Sequence, residues 1–198
     1  PATLTSINNM GILRKAQGKY DEALPFYVEA LEVRRRVLGN DNVNTLWSMN
    51  NYANLLSRLN RHDEAVELHL EALAGRKRAL GENHPDTSMS LHNIGRILKL
   101  QRKYDEALPY LAEAVALRRR VYGSEHGQTQ YTLELIIELL YAQENYNDAI
   151  PYQRELTNVR RRTRGNDDPV TIASISHLGS MLAVGMANYE EGVPYLEE

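Results

Sequence analysis

Gly39, Gly81, Gly123 and Gly165 stand 42 residues apart, and so do Tyr20, His62, Tyr104 and Tyr146, with Tyr189 one residue late. Between these marks one phrase returns: KYDEALPFYVEAL (19–31), RHDEAVELHLEAL (61–73), KYDEALPYLAEAV (103–115), NYNDAIPYQRELT (145–157) and NYEEGVPYLEE (188–198). A fixed period of this length constrains the chain more than any composition does. It specifies stacked supersecondary units, each of which buries its apolar faces on its neighbours.

Each period reads as two helices. The first runs roughly from Thr3 to Gln17, with Leu4, Ile7, Met10, Gly11 and the aliphatic stem of Arg14 on one side. The second opens at Asp21 and Glu22, which suit the positive end of a helix dipole, and closes at Val37–Leu38. Gly39 is then expected as a left-handed terminator. Pro25, Pro109, Pro151 and Pro194 fall near the end of the first turn, where a missing amide costs little. The loops GNDNVNT, GENHPDT, GSEHGQT and GNDDPVT lead into the next first helix.

Gly11, Tyr20, Ala23, Tyr27 and Ala30 occupy the signature places of the tetratricopeptide repeat, where small residues let helices approach. The 42-residue length, NNMG or HNIG in the first helix and the basic run before GENHPDT make the chain resemble the kinesin light chain type. It is similar also to arrays appended to STAND/NB-ARC-type signalling ATPases. The resemblance implies an all-α fold, a right-handed superhelical solenoid of antiparallel helix pairs. It also implies a single array over 1–198, with repeats at about 1–42, 43–84, 85–126, 127–168 and a truncated 169–198. The fourth repeat places Ile137 at the small-residue position, so its packing should differ, and the fifth carries an extra residue in AVGMANY. Pro1-Ala2-Thr3 aligns with Pro85-Asp86-Thr87, and neither end offers a polar capping unit. The expectation is a piece of a longer array, with self-association through uncapped ends as a consequence.

Composition removes several function classes. The chain of 198 residues has no cysteine, which excludes disulfides and thiolate metal sites and fits a reducing cytoplasm. No run approaches the roughly 18 apolar residues of a membrane span. The net charge of −3 disfavours a nucleic-acid partner. That charge conceals four basic triplets, at residues 34–36, 76–78, 118–120 and 160–162, which hold 12 of the 23 Lys and Arg residues. At 100° per residue three consecutive side chains cannot share a face. Arg34 falls between two apolar arcs, Arg35 at an edge, and Arg36 in solvent beside Glu32, an i,i+4 partner. Two readings stand: framework roles in helix ends and packing, or a basic ladder of Arg36, Arg78, Arg120 and Arg162.

In the family it resembles, the first helices line a concave groove, and the projection places the candidate ligand side chains there. Asn9, Asn51 and Asn93 recur at one helical position, and Asn50 and Asn54 flank the middle one; asparagine both donates to and accepts from an extended backbone. Arg58, Arg96 and Lys99 suit acidic ligand side chains. Trp47, the single tryptophan, with Met89 and Tyr131 at matching positions, offers apolar contact, and His92 lies on the same wall. Glu134 and Glu138 make the fourth repeat acidic. The six histidines scatter without zinc spacing, and no phosphate-binding loop is present, so neither a metal, a cofactor nor a catalytic site is expected. The function expected is a non-enzymatic scaffold that binds a short acidic segment of a partner protein. The alternatives are a sensor module of a signalling ATPase and, less favoured, an RNA-binding helical repeat.

Overall fold

The computed structural model describes residues 2–185. The expectations that fall on Tyr189, Pro194 and the second helix of the fifth repeat lie outside the described residues. The chain divides into two compact units, Pro1–Lys103 and Tyr104–Glu198. The first contains α1 (Ala2–Ala16), α2 (Tyr20–Leu38), α3 (Val43–Arg58), α4 (His62–Leu80) and α5 (Pro85–Leu100). The second contains α6 (Tyr104–Tyr122), α7 (Gly127–Ala142), α8 (Tyr146–Arg164) and α9 (Pro169–Gly185). The described residues contain no strand, and the fold is all-α. The helices α3, α5, α7 and α9 start 42 residues apart, and α2, α4, α6 and α8 keep the same interval.

Two recurrent turns set this rhythm. Between the helices of a hairpin, Gly18, Asn60, Arg102 and Glu144 all take positive φ, from 57° to 74°. The amide after each reaches back to the helix: Arg61 to the Leu56 carbonyl at 2.9 Å, Lys103 to Leu98 at 3.0 Å, Asn145 to Leu140 at 2.9 Å. That bond closes a Schellman turn and satisfies a carbonyl at the helix end. Only the first of the four sites uses glycine; the others hold residues whose Cβ disfavours this conformation.

The second turn follows the longer helices. Gly39, Gly81 and Gly165 have φ of 85°, 91° and 87° with ψ of 165°, 163° and 169°. They are not left-handed helical terminators, as expected from sequence, but sit in an extended positive-φ region that is essentially reserved for glycine. The conformation turns the glycine carbonyl toward the loop, where Thr87 Oγ1 donates to Gly81 O at 2.9 Å and Thr129 Oγ1 to Gly123 O at 2.8 Å. The next helix is then capped from the same loop. Asn42 Oδ1, His84 Nδ1 and His126 Nδ1 accept from the amides of Asn44, Asp86 and Gln128 at 3.0–3.2 Å. The accepting Nδ1 places the proton of both imidazoles on Nε2.

In the first unit the core is continuous through its hairpins. Ala23, Tyr27 and Leu55 pack together with Tyr20, Leu24, Tyr52 and Leu59 around them. Leu31, Leu46, Met49 and Ala72 form the next layer, and Ala53, Leu56, Ala65 and Ile97 another. Small residues set the spacing: a Cβ on Gly11 would lie 3.2 Å from both Phe26 Cβ and the Tyr27 ring. At Gly75 a Cβ would meet Leu46 Cδ2 at 2.5 Å, so the larger Leu46 fills the space that a side chain there would take. In the second unit Leu111, Leu133, Ile136, Leu139, Leu140 and Leu182 are fully buried. Burying one such side chain contributes about 1.5–3 kcal/mol. Ile137, at the place of Gly11, is itself buried. Pro25 is the sixth residue of α2 and so lies past the four free amides, correcting its expected position. It removes one internal hydrogen bond, on an exposed side of the helix.

The basic triplets divide as the helical projection requires, and each arginine has a separate task. Arg34, Arg76, Arg118 and Arg160 each donate to a hydroxyl 14 residues on, that of Ser48, Ser90, Thr132 and Ser174. Arg35 and Arg119 reach Glu71 and Glu155 on the following long helix. Arg78 forks onto Asp41 at 2.6 and 2.9 Å, and Arg162 meets Glu125 at 3.3 Å. In the second and fourth periods the third position therefore ties back to the preceding loop while remaining largely in solvent. Arg36 itself is exposed.

The two turns predict opposite responses to substitution. Glu144→Gly removes the Cβ strain of the Schellman position and should raise the unfolding free energy by up to about 1 kcal/mol. Gly123→Ala places a Cβ at φ 87° and should lower it by about 1–3 kcal/mol. Urea unfolding of the three proteins checks both; identical midpoints contradict the assignment of strain.

Candidate peptide-binding surface

In the first unit, α1, α3 and α5 carry the candidate ligand side chains, and packing sorts them by depth. Asn9 and Arg58 are exposed, and Asn51, Asn54, Met89, Asn93, Arg96 and Lys99 are half-buried. Asn50 and His92 are corrected to the interior, at 4% and 5% exposed. Asn50 Oδ1 accepts from Asn93 Nδ2 at 3.0 Å, and one step along, Asn54 Oδ1 accepts from Arg96 Nη2 at 3.5 Å. Neighbouring first helices are thus joined by a polar seam, and part of the asparagine set is spent on it. Trp47 is 39% exposed, with the Arg76 guanidinium 5.5 Å from its ring centroid. One side of the indole supports a buried cation while the rest meets solvent.

Asn51 and Arg58 line a cleft of about 510 Å³ together with Ile12, Lys15, Tyr20 and Tyr27. Lys15 was not among the sequence candidates. It is displaced below the usual lysine range by burial and then by the like charge of Arg58. Two cations sharing a partly desolvated wall disfavour each other, and an acceptor anion relieves both. The signal for Lys15 is present in the sequence: it precedes Lys99 by two periods.

The second unit has a different wall. Tyr131 is 50% exposed. Glu134 is engaged by Arg160, whose other nitrogen serves Ser174, so this carboxylate belongs to the framework. Glu138 is exposed and lines a smaller cleft between α7 and α9. Among the described residues no group of three metal-ligating side chains comes together. None of the described helices is long and apolar enough to cross a membrane.

The tetratricopeptide repeat sequence profile matches residues 2–78, 51–120 and 86–135, and a second profile of the same description matches 138–170. No curated protein matches the chain. Among solved structures, the chain is similar to a protein of Podosopora anserina described as kinesin light chain with nearly identical TPR-like repeats. The identity is 20%, the coverage 100% of this chain and 93% of that one, and the TM-score 0.83. BtubC (BKLC) from P. vanneervenii superposes with TM-score 0.79 at 21% identity, over 99% and 78% of the two chains. YrrB, a TPR protein with an unusual peptide-binding site, superposes with TM-score 0.62 at 20% identity, over 96% and 81%.

Behind the wall of the first unit lies a histidine the sequence reading left unassigned. His69 of α4 is fully buried, and its pKa is lowered to about 3 by burial first, then by Arg76 and Arg96. The imidazole is therefore neutral in the folded protein, while the unfolded chain takes up a proton below about pH 6.5. A lowered folded pKa makes the contribution of His69 constant above that value, and stability falls as pH drops from about 6.5 toward 3. Leu111 occupies the same place one period on and is equally buried. His69→Leu should therefore flatten the profile, sparing about 2 kcal/mol of the loss between pH 7 and 4.5. Urea unfolding at both pH values measures this; parallel profiles for the two proteins contradict it.

Proposed function

Because the chain belongs to the tetratricopeptide-repeat family, we propose that it is a non-catalytic protein-interaction scaffold. In this reading the first unit holds a short extended acidic segment of a cytoplasmic partner. The observation that carries it is the convergence of Lys15, Arg58 and Asn51 on one open cleft between α1 and α3. Lys15 and Arg58 supply the charge, and Asn51 the amide that pairs with a peptide backbone. Asn93, Arg96 and Lys99 continue the same chemistry on α5, and Asn9 borders it on α1. Exposed Trp47 and half-buried Met89 offer a place for one apolar side chain of the ligand.

Binding by such a wall depends on preorganisation. Its helices are held by the seam of Asn50–Asn93 and Asn54–Arg96 and by the buried layers beneath, so little receptor ordering accompanies association. The peptide-binding site described for YrrB supports the reading through shared fold. So does the likeness to kinesin light chain repeats.

A fluorescein-labelled peptide with glutamates around a single leucine provides the test by fluorescence polarisation. Arg58→Glu and Lys15→Glu are each expected to weaken binding by about tenfold or more, since each replaces attraction by repulsion at a part-desolvated site. Raising the salt concentration should weaken binding to the parent protein. Equal affinity in parent and both variants removes the groove assignment.

A further inference from the structure

The cleft of the second unit has a chemistry of its own. It measures about 360 Å³ and is lined by Ile137, Glu138 and Tyr141 of α7 and by His177, Ser180 and Met181 of α9. Its floor is apolar, because Ile137 and Met181 are 7% and 3% exposed. Ile137 stands where Gly11, Ala53 and Gly95 stand in earlier periods, so this floor exists only here in that form. The Tyr141 ring meets Tyr146 edge-on, with centroids 5.3 Å apart, and is itself 55% exposed. Tyr141 thus keeps a free-standing aromatic surface beside the cleft.

Charge at this register is inverted between the two units. Lys99 stands one period before Tyr141, and Arg96 one period before Glu138. Where α5 presents Arg96 and Lys99, α7 presents Glu138 and Tyr141. Besides the exposed imidazole of His177, the cleft has a hydroxyl that can accept: Ser180 Oγ donates its proton to the Ser176 carbonyl at 2.9 Å, leaving its lone pairs for an incoming donor. An apolar floor, a carboxylate at the rim, a hydroxyl oxygen and an aromatic surface together match a group with an aliphatic stem and a planar cationic head.

We propose that the α7–α9 cleft is a subsite for an arginine side chain of a partner protein, its methylenes on Ile137 and Met181 and its guanidinium between Glu138 and the Tyr141 ring. A guanidinium forks onto a carboxylate and stacks on an aromatic ring in the same pose. Its origin in a bound peptide rests on the scaffold reading, while the cleft itself can be probed without any peptide.

The probe is n-butylguanidinium, titrated into the whole chain carrying labelled isoleucine and methionine methyl groups. The Ile137 and Met181 methyl resonances should shift and saturate with a Kd of about millimolar, the range open to so small a ligand. Pentanoate, of opposite charge, and neutral 1-butanol should leave them unmoved over the same range. Glu138→Gln, an exposed change of charge alone, should weaken butylguanidinium about tenfold. Unshifted methyls, equal binding of butanol or pentanoate, or an unaltered Kd in Glu138→Gln each overturn the subsite. Because the first-unit peptide assay does not involve this cleft, failure of one experiment leaves the other to be decided separately.

Discussion

The arginine that opens each basic triplet, buried in the second and third periods and half-buried in the first and fourth, makes the interaction on which the stacking depends. Arg34, Arg76, Arg118 and Arg160 cross to the next short helix and donate to the hydroxyl 14 residues on. Arg76 is fully buried, and burial lowers its pKa to about 10, which still leaves it charged at neutral pH. A desolvated cation tolerates few arrangements of its surroundings. The hydroxyl fixes the head, the Trp47 ring covers it in the second period, and in the third a backbone carbonyl, Gln128 O at 2.8 Å, adds a further acceptor. Sliding one hairpin against the next would strand the charge, so the arginine selects one register of stacking. The two following basic residues then act outward, to the next long helix and to the preceding loop.

The periodicity was sufficient for the helices because it is a one-dimensional property. The expected first helix, Thr3 to Gln17, differs from α1 by one residue at each end, and the glycine after each long helix was identified from spacing alone. The conformation of that glycine was not, since glycine adopts either positive-φ region and its presence in a sequence does not say which one is used. The Schellman position was hidden for a related reason: Asn60, Arg102 and Glu144 lack the glycine that announces it at Gly18.

The candidate wall was harder to read because a helical projection gives direction without depth. Asn50 and Asn51 are neighbours 100° apart, yet one is 4% exposed and the other lines an open cleft. Which of the two is covered depends on the next short helix, whose Asn93 donates to Asn50 and not to Asn51. His92 was lost to the interior in the same way. Lys15 was missed because its neighbours Ile12 and Ala16 defined the expected face, although its long side chain reaches the cleft from the edge.

Net charge is a poor guide to what such a chain recognises, because most of its arginines are occupied inside the framework. Arg35, Arg78, Arg119, Arg160 and Arg162 all have carboxylate partners from other helices or loops, so the triplets that dominate the sequence contribute little outward field. What remains to act on a ligand is carried by the short helices, where a few residues change from one period to the next. Substituting Glu138 for the arginine at position 96, or Tyr141 for the lysine at position 99, alters the surface without touching the buried arginine, the glycine turn or the cap. A repeat framework that confines its obligatory charges to stacking contacts leaves each short helix free to set the chemistry of its own stretch of wall.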